Sequence, residues 1–226
     1  MTPLFIHGAG ASPNVWRLQL LHFKQSMAIE LPGHPTGSSY STIDEYSSTV
    51  EEYAKKNRLK DPVLVGHSMG GAIAITLALR HMEMAGIVLV GTGARLRVNP
   101  TFKKMIRENY EEASRMIAEW SVSPSSDPII AERIAKEMLK VNPEVTFGDL
   151  IACDGFDRMS EVQNIACKTL IVCGADDRMT PPKYSQYLHE KIPGSKLVLI
   201  PNAGHSVMLE QHRQFNEALE NFLGSL

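Results

Sequence analysis

The chain has 226 residues, 43% of them hydrophobic and 21% charged, the balance of one globular domain long enough to bury a sizeable core. A formal net charge of −2 offers neither a basic face for nucleic acid nor a polybasic patch for a membrane surface. No apolar run is long enough to span a bilayer, and Met1–Ile6 carries no basic region followed by an apolar one, so a cytoplasmic protein without membrane insertion is expected.

Leu4-Phe5-Ile6 reads as a short apolar strand that stops at His7-Gly8-Ala9-Gly10, a glycine-rich tight loop. Such a loop can present a backbone N–H to a substrate oxygen, best placed at Ala9, while His7 reads as a structural hydrogen-bonder. From Asn14 to Phe23 the apolar residues predict a helix packed on a sheet. Trp16 on that helix is a core residue or, alternatively, a pocket wall. Met27-Ala28-Ile29 is the second strand, followed by a breaker-rich loop from Glu30 to Ser39 in which His34 reads as a surface or loop-bracing residue. Thr42-x-x-Glu45 is a capping box, and Ile43, Tyr46, Val50 and Tyr53 follow at helical spacing, so Thr42–Asn57 is an amphipathic helix.

Val63-Leu64-Val65 then runs into Gly66-His67-Ser68-Met69-Gly70-Gly71, which contains Gly-x-Ser-x-Gly between an apolar strand and a helix. A serine raised on so sharp a turn crowds its own backbone, and the residues two before and two after it must lack bulk because strand and helix pass close there. Its hydroxyl is left exposed near a helix N-terminus, where developing negative charge is favoured. The following helix, from Gly70 to about Met82, is apolar nearly all round and therefore buried on most faces. Ile87-Val88-Leu89-Val90 is the next strand. Continuous apolar strands alternating with helices predict a parallel sheet covered on both faces.

No strand signal appears between Val90 and Thr169-Leu170-Ile171-Val172-Cys173. Asn99-Pro100, Asp127-Pro128 and Asn142-Pro143 instead each supply a capping side chain followed by proline at the first helical position, predicting three helical segments. Residues 97–151 therefore form a helical insertion over a core of residues 1–96 and 152–226. Ligands bind at the strand ends of open α/β sheets, so a helical cap over a site is expected. Met105 and Trp120 on this insertion, and Met179 beyond it, are candidate walls of an apolar substrate pocket. Beyond the insertion, one loop carries Asp176 and Asp177, helix Pro181–Lys191 follows, and strand Lys196–Ile200 leads to a loop carrying His205 before a final helix, His212–Leu223. The three cysteines, Cys153, Cys167 and Cys173, are too few and too irregularly spaced for a disulfide scaffold or a zinc site and read as reduced thiols.

Three strand-end loops thus offer Ser68, an aspartate and His205, in that order. A serine hydroxyl is a poor nucleophile at neutral pH and needs a base in reach and an orienting group behind that base. Ser, acid, His is the chain order expected of α/β-hydrolases. The chain resembles that superfamily in its esterase and lipase branch. The resemblance rests on His7-Gly8-Ala9-Gly10, Leu31-Pro32-Gly33-His34, Gly66–Gly71, Gly174–Pro181 and Ala203–Glu210. It covers nearly the whole chain and is weakest in the cap. Gly66–Ala74 is also locally similar to monoacylglycerol lipases.

The resemblance implies an α/β-hydrolase fold with a mostly parallel sheet of about six strands, the family's opening strand pair being absent. Its Gly-x-x-Asp-x-x-x-Pro pattern falls on Gly174, Asp177 and Pro181, making Asp177 the triad acid and Asp176 the alternative. It also implies Ser68 as nucleophile, His205 as base, and the N–H groups of Met69 and Ala9 as oxyanion donors, with no metal or organic cofactor. Leu4–Ile6 would lie at or near a sheet edge, where an exposed strand can pair with another copy, so the expected state is a monomer or a homodimer.

The leading expectation is a serine carboxylesterase acting on esters of small or medium acyl chains, monoacylglycerol-like ones included. Lactone or carbon–carbon bond hydrolysis and perhydrolysis would use the same triad. Dehalogenases and epoxide hydrolases of this fold carry aspartate where Ser68 stands and are disfavoured. A small-ligand receptor on the hydrolase fold, with little turnover, is the alternative from a different class.

Overall fold

The computed structural model describes residues 1–226. Six strands form one fully parallel sheet: β1 (Pro3–Ile6), β2 (Met27–Ile29), β3 (Val63–His67), β4 (Gly86–Val90), β5 (Lys168–Gly174) and β6 (Lys196–Ile200), in the spatial order β2-β1-β3-β4-β5-β6. Successive residues of β1 point to opposite faces, so Leu4 and Ile6 join one buried cluster while Phe5 joins the other. On the first face lie α2 (Ile43–Lys56), α3 (Met69–Leu79) and α8 (Pro182–Lys191). On the second lie α1 (Arg17–His22), the short α9 (Val207–Glu210) and α10 (His212–Leu223), with Trp16, Phe215 and Leu219 packed against Phe5, Val65 and Val88.

The sheet edges are β2 and β6, with β1 one strand in from the β2 edge. Leu4–Ile6 thus lies near an edge, as expected, but β1 pairs with β2 on one side and β3 on the other and has no free side of its own. The β2 edge is only three residues long, a short strand of the kind that limits edge-to-edge pairing. Trp16, entertained as a pocket wall, is completely buried. It stacks on Phe5 at a centroid distance of 4.9 Å and sits 6.0 Å from the Phe215 ring. A large aromatic at this junction is more stable filling the space between sheet and terminal helix than facing a cavity.

Four helices fill the gap between β4 and β5: α4 (Pro100–Glu108), α5 (Tyr110–Trp120), α6 (Pro128–Met138) and α7 (Pro143–Gly155). Asn99, Asp127 and Asn142 each accept from the amide two residues on, with proline at the first turn. The segment expected to be one helix from residue 99 to 120 is broken at Asn109, whose φ of −154° leaves the helical region. Its side chain accepts from the Glu112 amide and starts α5 afresh. α7 continues four residues past the boundary expected at 151. No helix is long and apolar enough to cross a membrane.

The approach of β3 to α3 is very tight. A Cβ on Gly66 would lie 2.1 Å from the Gly70 carbonyl oxygen, which is backbone and has no rotamer with which to yield. Gly66→Ala should therefore lose about 3 kcal/mol or more of unfolding free energy in urea titration. A loss below about 0.5 kcal/mol would show that strand and helix separate freely at this point.

Candidate active site

Because all six strands are parallel, their C-terminal ends share one edge, and the loops leaving them converge there. Ser68 follows β3 directly. Its backbone sits at φ 53°, ψ −113°, a strained conformation for a residue with a side chain, and its N–H is tied to the Val90 carbonyl at 2.9 Å. α3 opens at Met69, whose amide has no helical carbonyl to bond. The His7–Gly10 loop lies against this turn: a Cβ on Gly8 would be 3.2 Å from the Ser68 Cβ. The Ala9 N–H has no acceptor within the protein.

The loops after β5 and β6 are pressed together. A Cβ on Gly174 would lie 2.1 Å from the Gly204 carbonyl oxygen, so glycine is required for the two loops to meet. Asp177 Oδ2 then accepts from His205 Nδ1 at 2.9 Å and from the Thr180 hydroxyl at 2.9 Å. Its Oδ1 accepts the amides of Met179 and Thr180 at 2.8 and 2.9 Å. An ionised carboxylate has no proton to give, so the His205 proton resides on Nδ1 and Nε2 is left as the basic nitrogen. Burial alone would disfavour the Asp177 charge, but the neighbouring His205 and the hydrogen bonds from His205 and Thr180 outweigh it and hold the carboxyl below the usual range. Asp176, the alternative acid, points elsewhere and accepts from the Ser123 hydroxyl at 2.6 Å. No hydrogen bond joins Ser68 to His205 in this conformation, although both line one cavity.

That cavity has a volume of about 290 Å³. Ala9, Ser68 and His205 form its floor region in the core, while Phe102, Ile117, Trp120, Ile134, Met138 and Leu150 come from the inserted helices. Trp120 and Met179, both expected at the pocket, line it. Met105, half-buried on α4, does not line it, and neither does Trp16, which is buried in the core against Phe5 and Phe215.

Several residues that sequence reasoning passed over bind the insertion to these loops. The Arg178 guanidinium donates to the Glu119 and Val122 carbonyls at 2.6 and 3.2 Å, at the C-terminal end of α5, where a cation is favoured. Glu210 accepts the amides of Gly204 and Ser123 and the hydroxyl of Ser126. Thr180 stands three residues after Asp177, a local spacing that was readable; the partners of Arg178 and Glu210 were not.

His67 and His7 are neutral. Burial, reinforced by the neighbouring His205 and His34 respectively, lowers each to about 3. His7 Nδ1 donates to the Gly8 carbonyl at 3.0 Å and its Nε2 accepts from the Leu31 amide, the structural role expected of it. His34 differs. Its Nδ1 faces the Leu31 and Pro32 carbonyls and its Nε2 faces Asp149 Oδ2 at 2.9 Å, so both nitrogens must carry protons. Burial opposes that charge, but the hydrogen bond and charge of Asp149, with the two carbonyls, overcome it and raise the His34 pKa. The side chains of this ion pair are fully buried.

The alpha/beta hydrolase family model matches residues 4–218, and the chain belongs to that family. Among solved structures it is similar to a thermophilic esterase, with 37% identity and a TM-score of 0.87 over 99% of this chain and 89% of that one. Curated relatives include a pimeloyl-[acyl-carrier protein] methyl ester esterase of Neisseria meningitidis, 26% identical over 96% of this chain and 91% of that protein. A putative 2-succinyl-6-hydroxy-2,4-cyclohexadiene-1-carboxylate synthase of Bacillus subtilis is also 26% identical, over 98% of this chain and 89% of that protein.

Asp177 carries a pH signature. Its pKa in the folded state lies below the unfolded value of about 3.9, so its contribution to stability is complete above that value and is lost as pH falls through the folded one. The thermal midpoint of the native protein should fall more steeply from about pH 5 to about pH 3 than that of Asp177→Asn. Parallel slopes would mean that His205 and Thr180 do not stabilise the charge.

Proposed function

We propose that this protein is a serine hydrolase that cleaves carboxylic esters of small or medium acyl chains through an acyl-enzyme on Ser68. The observation that carries this reading is the buried Asp177–His205 contact of 2.9 Å on the wall of the cavity into which the strained Ser68 turn opens. Its orientation leaves the base nitrogen, Nε2, free of internal partners.

The chemistry follows from that orientation. His205 Nε2 takes the Ser68 proton as Oγ attacks the ester carbonyl, and Asp177 stabilises the imidazolium and keeps the proton already on Nδ1 in place. The carbonyl oxygen becomes an oxyanion, met by the amides of Met69 and Ala9; losing one such donor commonly costs about 2.7–4 kcal/mol of barrier. The imidazolium then protonates the leaving alcohol. Water, deprotonated by the same nitrogen, attacks the acyl-enzyme and releases the acid. The inserted helices act as a cap, and their apolar walls, Phe102, Ile117, Ile134 and Leu150, would receive the acyl chain rather than the alcohol's polar groups. The esterase among the solved structures supports the reaction class, and the cavity's size and apolar walls support the acyl range.

Hydrolysis of p-nitrophenyl esters from acetate to decanoate tests the reading. The native protein should turn them over, and Ser68→Ala should lower kcat by about 10⁴-fold or more with unchanged circular dichroism. Near-native turnover by Ser68→Ala would remove Ser68 as nucleophile. A native protein inert at every chain length would favour the ligand-receptor alternative.

The cavity walls make a second prediction. Leu150→Trp fills the space between α7 and the opposite wall and should move the preferred acyl chain to a shorter length in the same series. An unchanged profile would place the acyl chain outside this cavity.

A further inference from the structure

We infer that Asp149, carried on inserted helix α7, is a positioning residue that aims the Ala9 N–H at the developing oxyanion. The inference rests on the esterase reading above and extends it to a residue in the insertion that lies outside the cavity walls.

Three segments distant from it in sequence converge on this one carboxylate. Asp149 Oδ2 accepts the Gly10 amide at 2.9 Å and His34 Nε2 at 2.9 Å, and its Oδ1 accepts the Tyr46 hydroxyl at 2.5 Å. The residue is completely buried. Buried carboxylates persist where every lone pair is used and a cation compensates the charge, and here His34 supplies the cation.

The Gly10 bond matters because of peptide geometry. A peptide unit is planar, and its C=O and N–H point in opposite directions. The unit joining Gly8 and Ala9 is held by its carbonyl, which accepts from His7 Nδ1 at 3.0 Å and from the Ala11 amide at 3.3 Å. Its N–H, that of Ala9, is thereby turned the other way and finds no internal acceptor. The next unit, joining Ala9 and Gly10, is held by its N–H on Asp149. With its own plane held through the Gly8 carbonyl and the next plane held on Asp149, the Ala9 amide has no freedom to swing. Gly10 also takes a left-handed φ of 61° with Thr146 of α7 packed where a Cβ would stand, so it has no side chain of its own with which to hold the loop at that point. Remove the acceptor on α7 and the second plane is free to rotate, carrying the donor off its line. A misplacement of about 1 Å in such a site can cost on the order of a hundredfold in rate.

Full-length Asp149→Ala, Asp149→Asn and the double variant Asp149→Leu/His34→Leu carry the test. The readouts are kcat and KM for p-nitrophenyl butyrate and the inhibition constant of a butyl trifluoromethyl ketone, which forms an oxyanionic hemiketal on Ser68. Asp149→Ala should lower kcat about 10- to 100-fold, weaken the ketone by a similar factor, and leave KM within about threefold. Asp149→Asn should recover most of the loss, because its side-chain oxygen still accepts from Gly10. The double variant removes both buried charges together, which avoids stranding the His34 cation if Asp149→Ala fails to fold. It should show the same kcat and ketone losses as the single alanine. Folded variants with native kcat and native ketone affinity would overturn the inference, as would a loss confined to KM. A native protein that hydrolyses no ester would instead overturn the esterase reading, and this inference with it.

Discussion

The meeting of β3 and α3 at Gly66 and Gly70 governs how Ser68 is presented at the edge where the strand-end loops converge. With no side chain between them, the strand can hand over to the helix in a single residue, and that residue is forced to a positive φ. Ser68 is thus held above the sheet rather than beside it. The same economy recurs at Gly174 and Gly204, where the acid and histidine loops touch. Parallel strands bring the loops to one edge, but the missing Cβ atoms bring them within hydrogen-bonding distance. Backbone strain at Ser68 is tolerable because the turn is bonded on both sides, to Val90 through its N–H and to Thr92 through its C=O.

Electrostatics divides the buried histidines by role. His7 and His67 are buried without a carboxylate partner and stay neutral, each with a fixed tautomer. His34 and His205 each face an aspartate, at the same distance of 2.9 Å. The difference between those two lies in their second nitrogen. In His34 it is engaged by carbonyls, which enforces a cation and a structural role. In His205 it is left free, which allows a base. Two similar His–Asp contacts therefore serve different ends because of what lies on the far side of the ring.

Much of this was legible in the amino-acid sequence, for physical reasons specific to each element. The turn at Ser68 was readable because steric exclusion acts over five consecutive residues. The caps at Asn99, Asp127 and Asn142 were readable because a capping side chain and proline act locally. The choice of Asp177 needed a family pattern, and the structure brings that residue, rather than Asp176, to His205. What escaped was non-local. The break at Asn109 has no proline to announce it. Trp16 carries the same apolar signal whether it faces a core or a cavity, and Met105 likewise. Asp149 bonds residues 10, 34 and 46, and no spacing in the chain foretells a convergence that exists only after the insertion folds back on the core.

The buried pair of Asp149 and His34 also bears on modularity. Residues 100–155 sit between two strands as a continuous block, which invites exchange with the equivalent block of another protein of the family. The core would then keep a buried imidazole deprived of the acid that holds its proton, a tyrosine hydroxyl and a glycine amide, all turned toward a carboxylate that had left with the old block. A transplanted insertion thus has to bring a carboxylate to this one spot, whatever else it changes about the cavity. Insertion and core are two halves of a single buried charge balance, and a chimera inherits that debt before it inherits any new selectivity.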